Sequence, residues 1–568
     1  MPNRLRKMFS AVMVACLMVT SACLFAACGQ TGSGYDATKS HLYVFAYDGG
    51  WGREWLDTLI KEYETEYADH SFENGKTGVQ VHVYMEKSSP STAMRTDSNM
   101  IYFAEDIDYI DLASQGLILN ISDIVKAELP DGSGTIESKM SANQKDAYTA
   151  LNGNYYAIPF VRGTAGVTYD ADLFSSRGYY LKADTDGSWI GSSASDLSNS
   201  YFTSTASEMT VGADGIKNTY DDGLPSTIVE FKALVGRIAA KGDAPFIWSG
   251  QNNWYPSLLG EAAYASMAGI DQAMLAYNFG SGEGEDVMLD YVSGFDSNGP
   301  VVEQTTITNE TGWKTTQSEA LYHACDLLQY ILSNSDYRAL QWSAVNTHLE
   351  TQRYYIYSNV DPQSEQAIAM LIEGSWWYNE AKPSFSSSVS KFGENAENRD
   401  FRWMPMPVKY DGGVAEGEGK VQTLFEANGG EKCVVNANIA GNKAAIDMVS
   451  KFLTMLYTDD MLEMFTTTTG GVVGVDYKLS DDQVASLNSF ARSYYEVVSK
   501  AETVECGSSN RVFLNNSSDM IDARTWLFTS VVQGNSVNPF SAFSTHNYSL
   551  KDFFTGLSKE SSWPQYLA

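Results

Sequence analysis

Leu42-Tyr43-Val44-Phe45-Ala46-Tyr47, the turn Asp48-Gly49-Gly50, and the spaced apolar set Trp55, Leu56, Leu59, Ile60, Tyr63 and Tyr67 decide the fold class. The first run is continuously apolar, as a buried strand requires. The second set recurs at three- and four-residue steps, which puts it on one stripe of a helix. Val79, Val81, Val83 and Met85 then alternate along a second strand. Strand, helix, strand opens an α/β chain, whose helices cover a mainly parallel sheet.

The same theme returns farther on. Thr227-Ile228-Val229-Glu230 reads as a capping box, followed by Phe231, Leu234, Val235 and Ile238 on one face and a stop at Gly242. The strand-like Lys432-Cys433-Val434-Val435-Asn436 precedes a helix with Ala445, Val449, Phe452, Leu453 and Leu456 on one side. Residues 181–225 and 279–319 are rich in Ser, Thr, Asp, Asn, Glu and Gly and read as loop-like insertions. A single core stops growing near ~250–300 residues, so a chain of this length is expected to form more than one domain.

At the start, Arg4, Arg6 and Lys7 precede an apolar stretch from Met8 to Ala27, the layout of a secretory signal. No basic cluster follows to hold a membrane-spanning helix. Instead Gln30-Thr31-Gly32-Ser33-Gly34 forms a flexible tether. Leu24-Phe25-Ala26-Ala27-Cys28 resembles a bacterial lipobox, which implies cleavage before Cys28 and a lipid on its sulfur. The division expected is a signal at 1–27 and a tether at 28–40, with the chain exported and held at the outer face of the cytoplasmic membrane by its lipid alone. Loss of Arg4, Arg6 and Lys7 with the signal takes the formal charge from −32 to −35. Such an acidic surface does not seek nucleic acid or anionic lipid.

Cys325, Cys433 and Cys506 remain in the mature part, without CxxC or Cys-His spacing, and read as small buried apolar residues rather than metal ligands. Catalytic signatures are missing: the sequence has no HExxH, GxSxG or Walker motif, and the acidic Gly280-Ser281-Gly282-Glu283-Gly284 cannot cradle phosphate. Asp214, Asp221 and Asp222, with Asp184 and Asp186 upstream, are interleaved with glycines. Closely spaced Asp oxygens suit a structural calcium, and plain Asp-Gly turns explain the pattern equally. No other cofactor is called for.

Several segments, in order, resemble family 1 extracellular solute-binding proteins: Tyr155-Tyr156-Ala157-Ile158-Pro159-Phe160 running on through Val167-Thr168-Tyr169-Asp170-Ala171-Asp172-Leu173-Phe174; Leu224-Pro225-Ser226-Thr227; Ile372-Glu373-Gly374-Ser375-Trp376-Trp377; Trp403-Met404-Pro405-Met406-Pro407; and Lys451-Phe452-Leu453 leading to Gly470-Gly471-Val472-Val473. The resemblance implies a two-lobed, periplasmic-binding-protein-like α/β fold of the class II type, with a hinge and an interlobe cleft. Lobe one would be residues 41–160 plus 430–495, and lobe two 161–429 plus 496–568. The chain would cross near Ile158-Pro159, near Ala427-Asn428 and after residue 475. The same resemblance implies a monomeric, non-enzymatic subunit of an ABC importer that captures a carbohydrate, an oligosaccharide in particular, and delivers it to membrane permease subunits.

Sugars need flat aromatic platforms beside planar donors and acceptors. Trp51 lies just past the first strand, where open α/β sheets place ligands. Trp248, Asn253 and Trp254 form a second aromatic and amide cluster, and Glu373, Trp376 and Trp377 a third, with Arg162 a further polar candidate. The resemblance assigns ligand stacking to Trp376. Core packing competes for every one of these tryptophans. Two other readings stand beside capture: a surface glycan hydrolase, which needs only two carboxylates, and an adhesive lipoprotein.

Overall fold

A computed structural model describes residues 34–87, 90–105, 107–280, 287–393, 399–427 and 430–568. Cys28, the signal, the tether to residue 33, Asn428 and most of the glycine-rich segment 280–284 lie outside them.

Two separate sheets organise the chain. In the first, strands Val79–Glu86, Ser40–Tyr47, Ile101–Ala104, Lys432–Val435 and Ala157–Pro159 lie side by side in that order. The three N-terminal strands run parallel, and Lys432–Val435 is antiparallel to both of its neighbours. Helix Glu54–Glu66 packs on this sheet through Trp55, Leu56, Leu59 and Tyr63, the stripe expected from the spacing. Tyr63 Oη donates to the Met448 carbonyl at 2.9 Å, tying this helix to Lys443–Leu456.

The second sheet orders Phe401–Met404, Ala165–Asp170, Ile368–Gly374 and Ala244–Ile247. Its two central strands are buried along their whole length, which explains their runs of Ala, Val, Ile, Leu and Met. Helix Ile228–Ala240 beside it carries the full capping box: Thr227 accepts from the Glu230 amide, and Glu230 accepts from the Thr227 amide.

Between the sheets the chain crosses three times. Val161 pairs with Val473 and Thr164 with Glu426. The Arg162 amide donates to the Val472 carbonyl at 2.9 Å, and the Ala427 amide to the Gly163 carbonyl at 2.8 Å. Two features depart from the sequence reading. Helix Ser489–Val498 packs on strand Phe401–Met404, with Ser493 Oγ accepting the Trp403 amide at 2.8 Å, so the end of the 430–495 segment sits with the second lobe. Within 279–319, Met288–Asp296 and Gly299–Thr306 form a paired antiparallel hairpin rather than a loop. Its two-residue turn, Ser297-Asn298, is followed by Gly299 at φ +129°, a turn signal hidden by the polar composition around it.

Candidate ligand-binding cleft

The end of the strand Ser40–Tyr47 and the end of the strand Ile368–Gly374 face each other across the gap between the sheets. Two adjoining compartments fill that gap. One, of about 360 Å³, is lined from the first lobe by Tyr47, Gly49, Lys87, Glu105 and Glu431, and from the second by Asn252, Tyr255, Leu258, His348, Trp376, Glu380 and Arg524, with Gly163 and Ala427 of the crossings between. The other, of about 410 Å³, is lined by Trp51 with Asp48, Gly50, Gly52, Arg53 and Glu54, by Leu349, Asn379, Glu380, Lys382, Pro383 and Thr468, and again by Lys87.

Trp376 supplies an aromatic platform in the first compartment. Its indole lies against Gly163 and Gly374; a Cβ on Gly374 would overlap the six-membered ring, and one on Gly163 would touch it at 3.5 Å. The two glycines thus form a floor on which the ring lies flat, leaving it only half-buried. Trp377, one residue on, turns the other way. It is fully buried among Tyr355, Phe385, Phe401 and Phe490, so it belongs to the core and not to the cleft. Trp248 is also buried, beside Trp342 at a ring separation of 6.0 Å, and is corrected to the core.

Trp51 lines the larger compartment but is only 5% exposed. Its Nε1–H donates to Glu431 Oε1 at 2.7 Å. Burial, and then the nearby Glu105 carboxylate, push the Glu431 carboxyl well up. Trp254 is half-buried against the core and Asn253 is exposed; neither lines these compartments, whereas their neighbours Asn252 and Tyr255 do. Arg162 lies in the first crossing, where its charge acts on the buried Glu426 and Glu505 instead of on the cleft.

Glu373 is 1% exposed and lies behind the cleft wall. It accepts from Tyr255 Oη at 2.6 Å and from Gln352 Nε2 at 3.4 Å. Burial first, then Glu380, push its carboxyl to about 7. Burial also pushes the Glu380 carboxyl up, but His348, Gln352 and Lys87 outweigh this and hold it below the usual range. The carboxylate expected to touch ligand therefore orients Tyr255, which does line the cavity.

The five aspartates of the glycine-rich loops make turns. Asp186 accepts from Ser188, Asp184 from the Thr185 amide, and Asp222 from the amides of Asn218 and Thr219. Thr219 Oγ1 lies within hydrogen-bonding distance of both Asp214 and Asp221. Among the described residues no group of three or more His, Cys, Asp or Glu side chains is placed to hold a metal ion. Cys325, Cys433 and Cys506 are all buried and free.

Lys87, Glu105, His348, Glu380 and Arg524 were not singled out from the sequence. They lie in segments far apart in the sequence with no spacing in common, and only the fold brings them together.

No protein-family model matches the sequence, and no curated protein does. Among solved structures, a chitin oligosaccharide binding protein is 13% identical, with 93% of this chain and 99% of that one covered at a TM-score of 0.52. The GacH receptor of Streptomyces glaucescens GLA.O, studied unliganded and with acarbose, is also 13% identical, with 93% and 98% covered at a TM-score of 0.51. At that identity the likeness concerns architecture: the chain has the two-lobed α/β fold of solute-binding proteins.

Proposed function

We propose that this protein is the carbohydrate-capturing lipoprotein of an ABC importer, closing its lobes over an oligosaccharide and presenting it to membrane permease subunits. The observation that carries the reading is Trp376 lying flat on its glycine floor and facing an interlobe cavity edged by Asn252, Glu105, His348 and Arg524. An aromatic face for the apolar side of a sugar ring, ringed by planar donors and acceptors, is the chemistry a pyranose requires. The sharing of the fold with a chitin oligosaccharide binding protein and with a receptor solved in complex with acarbose supports it.

In this reading a sugar stacked on Trp376 from the second lobe is met by Tyr47 and Glu105 from the first. The ligand prefers the closed arrangement and shifts the population toward it. No covalent step is needed. Cys28 carries the lipid and holds the monomer at the outer face of the cytoplasmic membrane. Among the described residues no helix is long and apolar enough to cross a membrane.

The test is a titration of the chain lacking residues 1–28 with a panel of oligosaccharides, following tryptophan fluorescence, melting temperature and the integrity of the sugar. Saturable binding of an intact sugar, weakened at least tenfold by Trp376→Ala, is expected. Cleaved sugar would turn the case to a hydrolase, and silence across the panel to an adhesive role.

A further inference from the structure

The two compartments of the cleft meet at one ion pair. Lys87 Nζ, just past the strand Val79–Glu86 of the first lobe, lies 3.2 Å from Glu380 Oε1 of the second, and both residues line both compartments. The partners differ in exposure. The Glu380 side chain is 10% exposed, while that of Lys87 is 46% exposed. Gln352 Nε2 donates to Glu380 Oε2 at 2.8 Å, and His348 Nε2 lies 3.4 Å from Oε1, so the carboxylate is fixed before Lys87 arrives. An exposed pair is weak largely because two long side chains must both be immobilised. Here only one must be.

A second contact stands beside it. Asn379 Nδ2 donates to the Gly50 carbonyl of the first lobe at 2.5 Å. Gly50 holds φ at +105°, and a Cβ there would come within 3.1 Å of the Glu380 Cβ. The short helix Trp377–Glu380 thus reaches the opposite lobe with consecutive side chains, directly after the Trp376 platform.

We infer that the Lys87–Glu380 pair, seconded by Asn379–Gly50, is a closure latch made wholly of protein groups, which raises the closed fraction of the chain before any ligand binds. The inference deepens the capture reading, because a latch matters only if closure does. Its consequence is quantitative: where the competent state is a minor population, apparent affinity scales with that population. Each factor lost from the closed-to-open ratio is then lost from ligand affinity as well.

The lobe separation can be read without sugar, by single-molecule energy transfer between dyes on Lys61→Cys and Lys241→Cys, both exposed and one on each lobe. In the chain lacking residues 1–28 the cysteines are Cys325, Cys433 and Cys506, which are buried and stay unlabelled. Lys87→Met and Glu380→Gln are each expected to lower the closed-to-open ratio by about two- to fivefold, the range of a partly exposed pair. Lys87→Arg is expected to preserve the ratio, and added salt to reduce it in the parent and in Lys87→Arg but not in the two neutral variants. Unchanged distance distributions in both neutral variants, with melting temperatures showing that they fold, would overturn the latch. Because no sugar enters this measurement, silence across the sugar panel would not touch it, and an unchanged distribution would leave capture standing.

Discussion

Adding one methyl group at Gly374 tests the cleft floor. Gly374 ends a strand paired in register with Ala165, and its φ is not in the left-handed region, so alanine fits the backbone without strain. The new Cβ, however, would overlap Cη2, Cζ3 and Cζ2 of Trp376. The paired strand cannot retreat, so the ring must yield. If the ring stays, overpacking costs about 1–3 kcal/mol. At ~2–4 °C per kcal/mol for a folding unit of ~150–250 residues, that is a readable drop in melting temperature. If the ring swings out, it enters the compartment of about 360 Å³ and takes space the ligand needs. We expect Gly374→Ala to lower affinity for the best-binding sugar of the panel at least tenfold, about 1.4 kcal/mol, measured by calorimetric titration. Against a Trp376→Ala background the same substitution should cost nothing further, since the atoms it displaces are gone. Parent-like binding and melting of Gly374→Ala, or additive losses in the double variant, would refute the platform.

Two further outcomes follow from buried groups. Glu261 is fully buried, neither carboxyl oxygen has a hydrogen-bond partner among the described residues, and burial pushes its carboxyl to about 8, opposed by the charge of Arg524. A carboxyl raised in the folded state binds more protons there than in the unfolded chain, so its contribution falls as pH rises from about 4.5 toward 8. Glu261→Gln should therefore flatten the decline of melting temperature across this window; a profile parallel to that of the parent would sink the assignment. Cys325, Cys433 and Cys506 are buried, with their thiols pushed up by burial, so a colorimetric thiol reagent should react with none in the native mature chain and with all three in denaturant. Fast native reaction of any one would contradict that packing.

What the sequence conveys about this molecule tracks the range of the interactions involved. Helix Glu54–Glu66, the Thr227 capping box and strand Lys432–Val435 follow from local periodicity and capping chemistry, and they form where the residues say. The site is less legible because burial is decided by partners far along the chain. Trp376 and Trp377 are adjacent and chemically identical. A strand gives way to a helix at this point, so neither period applies, and only Gly163, Gly374 and Phe490 decide which ring faces the cleft. Glu373 looks like a ligand group until the Tyr255 hydroxyl and Gln352 are seen to satisfy it from behind. Lys87, His348 and Arg524 converge from three distant elements, with no spacing that announces them.

The position of Lys432–Val435 in the first sheet bears on how the molecule assembles. This strand lies between Ile101–Ala104 and Ala157–Pro159 and pairs with both, so the sheet joins those two only through it. Most of the other lobe precedes it in the sequence. Until it is made, the N-terminal strands carry an unpaired edge of the kind that invites pairing with another chain. They cannot complete their sheet until the late strand inserts, and such non-local pairing is slow because a long loop must close before any contact rewards it. The first lobe to be made is thus the last to be finished, and a chain cut short before residue 432 would retain that open edge.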